Sequence, residues 1–320
     1  MVSMAFDWEQ FKAGLEETAE WQDADDLARM SIEALRAENG LLRRDASTGS
    51  LRLTGVGISG HAGALDGVAD ALRNFQRLIL ATGLAAKGHT SLRGQPPSDV
   101  VAKTRLNLNG SPLPGSLVLQ IIPATAPAEE LATDGQTSLF GDDHAEPQLV
   151  DTAMKDALGL LEDGRQLGPD ADASTFLARI QQYGPRVATT LRDFSTGLIK
   201  SGFEPDLTWT QPRQPRLRTR LTTAELVHIG ELIASRELER EPTTVRGILR
   251  TVSEISAWQV EVDEGEIVKI DAKKIPTAET GTLRTGMTIS VEVTVTEESG
   301  PAGEVKPKYT ATAFAILGEA

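Results

Sequence analysis

The sequence contains no cysteine and only four histidines among its 320 residues. Without cysteine the chain has no disulfides, zinc–thiolate sites, iron–sulfur clusters or cysteine nucleophiles. The histidines, His61, His89, His144 and His228, lie far apart, and none belongs to an H-E-x-x-H motif or to an i, i+4 ligand pair. The sequence therefore predicts no metal and no cofactor.

Recognisable catalytic motifs are also missing. The sequence has no G-x-S-x-G elbow and no Walker A motif. Adjacent acids such as Asp142 and Asp143 occur in loop-like sequence, where both carboxylates stay solvated and do not shift each other's pKa. Because ionisable and nucleophilic side chains are few and dispersed, we expect a protein that binds a partner rather than one that catalyses a reaction.

Long hydrophobic runs and aromatic residues are scarce. Leu78–Ala86 is among the longest apolar stretches, whereas a transmembrane helix needs about 20 such residues. No charged-then-apolar leader opens the chain, so we expect a cytoplasmic protein without a membrane partner. The net charge of −14 repels nucleic acid, and an aromatic share of 4% leaves few rings to stack on bases. Any contact with nucleic acid therefore requires a local basic cluster.

Residues 1–240 mix helical and strand-like patterns. Residues 64–82 have helical periodicity, and residues 105–108 and 117–122 alternate around a turn like a hairpin. The pattern predicts an α+β domain with helices covering a short antiparallel sheet. Within this domain, residues 123–147 are rich in Ala, Pro, Asp, Glu, Gly and Thr, which is typical of a mobile surface loop.

The pattern changes after a predicted helix that begins at a capping box, Thr222 to Glu225, and runs through Arg240. In residues 241–320 apolar residues alternate with polar ones, which predicts five or six strands and a small all-β barrel domain. Outward-facing positions of this barrel, including Glu261 and Glu292, are acidic or neutral. They favour docking to a protein over binding to nucleic acid.

Gly55 to Gly60 form a G-x-G-x-x-G pattern between a predicted strand and a predicted helix. Such glycines can admit the pyrophosphate of a nucleotide at a helix N-terminus. However, Leu51-Arg52-Leu53 alternates instead of being apolar throughout, and no acidic residue follows at the distance expected for a ribose ligand. The pattern favours a glycine-rich turn, with a nucleotide-binding enzyme as an alternative.

Gln136-Thr137-Ser138-Leu139-Phe140 resembles the peptide by which bacterial proteins bind the sliding clamp, although Thr137 stands where leucine is usual. In this resemblance Leu139 and Phe140 are apolar anchors and the Gln136 amide supplies directed hydrogen bonds. It implies an accessory protein of DNA replication, repair or phage defence that is recruited to the clamp. The alternative is that Leu139 and Phe140 attach the loop to its own domain.

Arg213, Arg216, Arg218 and Arg220 form a basic cluster in an otherwise acidic chain. Because strand side chains alternate, the last three guanidinium groups are expected on one face of a strand and Leu217 on the other. The cluster is a candidate anion-binding site for phosphate or an acidic partner. Alternatively, nearby carboxylates neutralise it.

Together these patterns favour a non-catalytic adaptor or regulatory subunit that docks a protein partner through its barrel or its acidic loop. A replication, repair or phage-defence role with contact to phosphate is the second hypothesis, and a nucleotide-binding enzyme is the third.

Overall fold

The computed structural model describes residues 46–60, 62–109, 117–127, 130, 147–167, 173–212, 214–299 and 305–319. All of them belong to one compact unit, Ala46–Ala320. The helices in the described residues are α1 (Leu65–Ala86), α2 (Ser98–Lys103), α3 (Leu149–Arg165), α4 (Ser174–Tyr183), α5 (Pro185–Ser201), α6 (Thr223–Ser235) and α7 (Thr277–Thr280). None of these is both long and apolar enough to cross a membrane.

The first sheet has five antiparallel strands in the order β4-β5-β1-β6-β7. These strands are β1 (Thr48–Thr54), β4 (Leu106–Leu108), β5 (Leu117–Pro123), β6 (Glu204–Thr210) and β7 (Leu217–Arg220), and a two-stranded hairpin of β2 (Ile58–Ser59) and β3 (Ala62–Gly63) follows β1. The fold class predicted from the sequence, an antiparallel sheet with covering helices followed by a β-barrel, is confirmed.

Helices cover one face of this sheet because its strands alternate. Leu51 and Leu53 of β1 are fully buried in one core with Leu191 and Phe194 of α5, whereas Arg52 between them is exposed. On α1 the buried residues recur at helical spacing and meet the same core, where the rings of Phe75 and Phe194 lie 5.7 Å apart. Among the described residues, the opposite face of the sheet is mainly polar and includes the exposed Arg52.

The capping box forms as predicted: the Thr222 hydroxyl accepts from the Glu225 amide, and the Glu225 carboxylate accepts from the Thr222 amide at 2.7 Å. The predicted end of this helix at Arg240 is wrong, because α6 stops at Ser235. Glu237 has a left-handed backbone conformation (φ 52°), which an α-helix cannot continue through.

The second sheet closes into a barrel with the order β10-β12-β11-β8-β9. Its strands are β8 (Glu241–Thr251), β9 (Trp258–Glu261), β10 (Ile267–Asp271), β11 (Met287–Ser299) and β12 (Val305–Glu319). All neighbours are antiparallel except β10 and β12, which are parallel. This five-stranded Greek-key arrangement is the topology of an OB fold.

Candidate functional site

The open face of the first sheet carries a row of charged residues. Arg52 on β1 lies directly opposite Asp206 on β6, and Asp206 lies directly opposite Arg220 on β7. Residues on neighbouring strands are about 5 Å apart, so Arg52 and Arg220 are both cross-strand neighbours of Asp206. We call Arg52, Asp206, Arg218 and Arg220 the arginine face.

Asp206 is the buried centre of this group. Its side chain is only 8% exposed and accepts two hydrogen bonds from Arg218, from Nε at 3.0 Å and from Nη2 at 2.7 Å. A bidentate pair of this kind holds the guanidinium plane in one orientation. Arg218 itself is 56% exposed, so its outer edge faces solvent.

The charges on the arginine face do not balance. The arginine face has three arginines and one carboxylate, and within the described residues Arg52 and Arg220 are exposed and take part in no hydrogen bond or ion pair. Glu204, also on β6, directs its carboxylate to the start of α6, where it accepts from the Thr223 amide at 3.1 Å. The excess positive charge can hold an oxyanion.

Hydroxyl and amide groups flank the arginine face. Ser50, Thr208 and Arg218 form the next row across the sheet, and the hydroxyls of Ser50 and Thr208 lie 2.8 Å apart. Gln120 on β5 is opposite Ser50 and is exposed. These groups add hydrogen-bond donors and acceptors beside the arginine face.

The structure describes three of the four residues of the predicted arginine cluster. Arg216, Arg218 and Arg220 are exposed, as alternation requires, and Leu217 is half-buried on the other face. Arg213 lies outside the described residues. Asp206 neutralises Arg218. For this residue the structure agrees with the alternative that nearby carboxylates neutralise the cluster. Sequence reasoning missed Arg52, although its position between Leu51 and Leu53 already indicated an outward side chain.

The glycine pattern has a packing explanation. The Gly57 amide donates to the Gly202 carbonyl at 2.9 Å, and the Ile58 amide donates to the Gly55 carbonyl at 3.2 Å. A Cβ on Gly57 would overlap the Ser201 carbonyl oxygen and lie 2.9 Å from the ring of Phe203. These amides are used within the chain, and the glycines permit close contact between the end of β1 and the turn after α5.

The predicted clamp-binding residues, Gln136, Leu139 and Phe140, lie outside the described residues, and their role stays a prediction. Nearby, Glu130 is anchored: its carboxylate accepts from the Leu149 amide at 2.9 Å and from the Gln148 side chain at 3.1 Å. Glu130 thus satisfies an amide at the start of α3.

A buried ion network joins the helices to the barrel. Glu297 on β11, whose side chain is 5% exposed, contacts Nη2 of Arg77 and Nη1 of Arg186, each at 3.2 Å. Arg77 also pairs with Asp193 at 2.9 Å. Burial raises the pKa of Glu297 above its ordinary value, although the charges of Arg186 and Arg77 lower it. We call this network of Glu297, Arg77, Arg186 and Asp193 the Glu297 junction. Sequence reasoning missed it because its members are far apart in the chain.

A cleft of about 210 Å³ lies next to this junction and is lined by residues 88–91, 93–97, Leu84 and Arg186. Its two arginines are engaged elsewhere: Arg186 donates to the Ser91 carbonyl at 2.9 Å, and Arg93 pairs with Glu241 at 3.2 Å. Among the described residues, both arginines of the cleft are therefore already paired, unlike Arg52 and Arg220 of the arginine face.

The outer surface of the barrel shows local charge pairing, as between Arg250 and Glu261. No described contact identifies a protein partner for it, and the adaptor role stays a prediction. In the described residues no group of three His, Asp or Glu side chains could hold a metal ion.

Neither a protein-family model nor a curated protein matches the chain. Among solved structures, a mitochondrial single-stranded DNA binding protein from S. cerevisiae, Rim1, matches with 11% identity and a TM-score of 0.22, covering 25% of this chain and 96% of its own. Its selenomethionine-labelled form matches with 11% identity and a TM-score of 0.21, covering 25% and 97%. At these TM-scores the likeness has no bearing on function.

Proposed function

We propose that this protein is a nucleic-acid accessory protein that binds the phosphate backbone of an extended strand on the arginine face. The observation that carries the proposal is the row Arg52–Asp206–Arg220, in which two exposed arginines flank a carboxylate already engaged by a third. Planar guanidinium groups match phosphate oxygens in geometry and charge.

The spacing of the arginines suits a chain of phosphates better than a single small anion. Arg218 and Arg220 are two residues apart on one strand, which separates them by about 7 Å. Arg52 lies two strands away from Arg220, at about 10 Å. Because Asp206 holds the guanidinium group of Arg218 in place, the three groups can be shared among successive phosphates of a polyanion.

The same surface predicts how selective the binding is. The described part of this face carries no aromatic side chain, so bases have no ring on which to stack. Contacts to phosphate carry no direct sequence information. We therefore expect binding that depends on charge and is indifferent to base sequence.

The test is the affinity of a fluorescent single-stranded DNA oligonucleotide, measured by anisotropy at several salt concentrations. Replacing both Arg52 and Arg220 by alanine is expected to weaken binding at least about tenfold, because two charged hydrogen-bond donors are lost. The slope of log affinity against log salt is expected to become shallower by about 1.4, at ~0.7 per lost phosphate contact.

Arg246→Ala is the matched control, because Arg246 is an exposed arginine on the barrel, away from the arginine face. It is expected to bind as the unchanged protein does. Binding that is absent at low salt, independent of salt, or equal in the double variant and the control contradicts the proposal. A scrambled oligonucleotide is expected to bind equally well.

A further inference from the structure

Strand β12 has one edge that is only partly paired. On one side it pairs with β11 from Val305 to Glu319, with β-bulges at Thr312 and Leu317. On the other side β10 pairs with Tyr309 and Thr310, and within the described residues the pairing on that side ends there. Beyond Thr310 the backbone N–H and C=O groups of this edge are available to another strand.

The unpaired part of β12 is apolar and uncharged. Ala311–Gly318 contains no charged residue, in a chain whose net charge is −14. Its side chains include Ile316, which is 43% exposed, and Leu317, which is 57% exposed. A long exposed edge of this composition is a template for pairing with another chain.

The start of the same strand has the opposite character. Lys306, Pro307 and Lys308 precede the contact with β10. Lysine and proline are the residues by which sheet edges are protected against pairing, because one adds charge and the other removes a donor. Lysine and proline therefore protect only the start of this edge. Beyond it, the β-bulges at Thr312 and Leu317 leave Ala313–Ile316 as the regular stretch.

We propose that Ala311–Gly318, the β12 edge, pairs in an antiparallel manner with the same segment of a second copy of this protein. Two copies that each carry a net charge of −14 repel each other, so contact is expected where neither contributes charge. A two-fold interface uses the same surface on both subunits, and an uncharged edge meets itself without like-charge repulsion.

The side chains define a register for this pairing. Phe314 and Ile316 lie opposite the buried Val291 and Ile289 of β11, so both point to the inner side of the strand, where Phe314 also contacts Trp258. A two-fold axis at Ala315 places Phe314 of each copy opposite Ile316 of the other copy. The interface therefore contains two such pairs. Pairs of an aromatic and a β-branched residue across strands are favourable.

The experiment is size-exclusion chromatography with light scattering on the full chain over a range of concentrations. The unchanged protein is expected to have twice the mass of the 34.3 kDa chain. Leu317→Lys and Thr312→Lys each add one positive charge per copy at the β12 edge, so a two-fold dimer would carry two such charges in its interface. Both variants are expected to have the mass of one chain. Circular dichroism verifies that the variants remain folded.

Ile267→Lys is the control, because Ile267 is an apolar residue of the same barrel with similar exposure, 52%, on another strand. It is expected to retain the doubled mass. The proposal is overturned if the unchanged protein has the mass of one chain at every concentration or forms open-ended assemblies, or if both lysine variants at the β12 edge keep the doubled mass. The outcome does not depend on binding at the arginine face.

Discussion

Replacing Glu297 by alanine is expected to lower the free energy of unfolding by about 3–5 kcal/mol, because the change leaves two buried arginines without their shared carboxylate. The side chains of Arg77 and Arg186 are only 15% and 13% exposed. In this variant Arg77 retains its ion pair with Asp193, and Arg186 retains its hydrogen bond to the Ser91 carbonyl. Neither interaction replaces the Glu297 carboxylate. Urea denaturation measures the change.

Glu298→Ala is the matched control one residue further along β11. Glu298 is 65% exposed and lies 3.4 Å from Lys308, and exposed pairs contribute about 0–1 kcal/mol. If the two alanine variants lose the same stability, the Glu297 junction does not hold the barrel to the helices.

The Glu297 junction also predicts a dependence on pH. Because burial raises the pKa of Glu297 in the folded protein above the ordinary value of 4.5, the folded state binds this proton more tightly than the unfolded chain does. The part of its contribution to stability that depends on pH is thus fully present below pH ~4.5 and declines as the pH rises through the raised pKa. Glu297→Gln removes the titration, so the stability of the unchanged protein relative to this variant is expected to fall over that interval.

Replacing Gly57 by alanine is expected to cost about 3 kcal/mol or more, because the new methyl group overlaps main-chain atoms that cannot turn aside. Ser201 presents its carbonyl oxygen to this position, and the ring of Phe203, which is fully buried, lies 2.9 Å from the added carbon. The end of β1 and the turn between α5 and β6 must separate to make room. Thermal and urea unfolding both report the loss.

Gly230→Ala makes the same chemical change where there is space. Gly230 lies within α6, and apart from its chain neighbours and the backbone of its own helix no atom lies within 4 Å of an added Cβ. Alanine favours a helix over glycine by about 1 kcal/mol, so this variant is expected to be more stable than the unchanged protein. A tolerated Gly57→Ala variant contradicts the packing explanation and revives the nucleotide hypothesis for Gly55 to Gly60.

Much of the fold follows from local pattern. The alternation of Leu51, Arg52 and Leu53 predicts a strand with one buried face, and the capping box at Thr222 predicts where α6 begins. The alternation after residue 241 predicts the barrel. These features depend on the two-residue repeat of strands, the 3.6-residue repeat of helices and hydrogen bonds between near neighbours. The end of α6 was missed because the left-handed conformation of Glu237 has no such signal.

The sequence by itself determined where the main helices and strands lie, which of their faces are apolar, and that the arginines of β7 alternate outward. Only the tertiary structure decided that β1 lies between β5 and β6, which places Arg52 beside Asp206 and Arg220. It also decided that Glu297 meets Arg77 across 220 positions of the chain. Periodicity reports the direction of a side chain from its own backbone, whereas strand order and the docking of the barrel depend on the packing of the whole core.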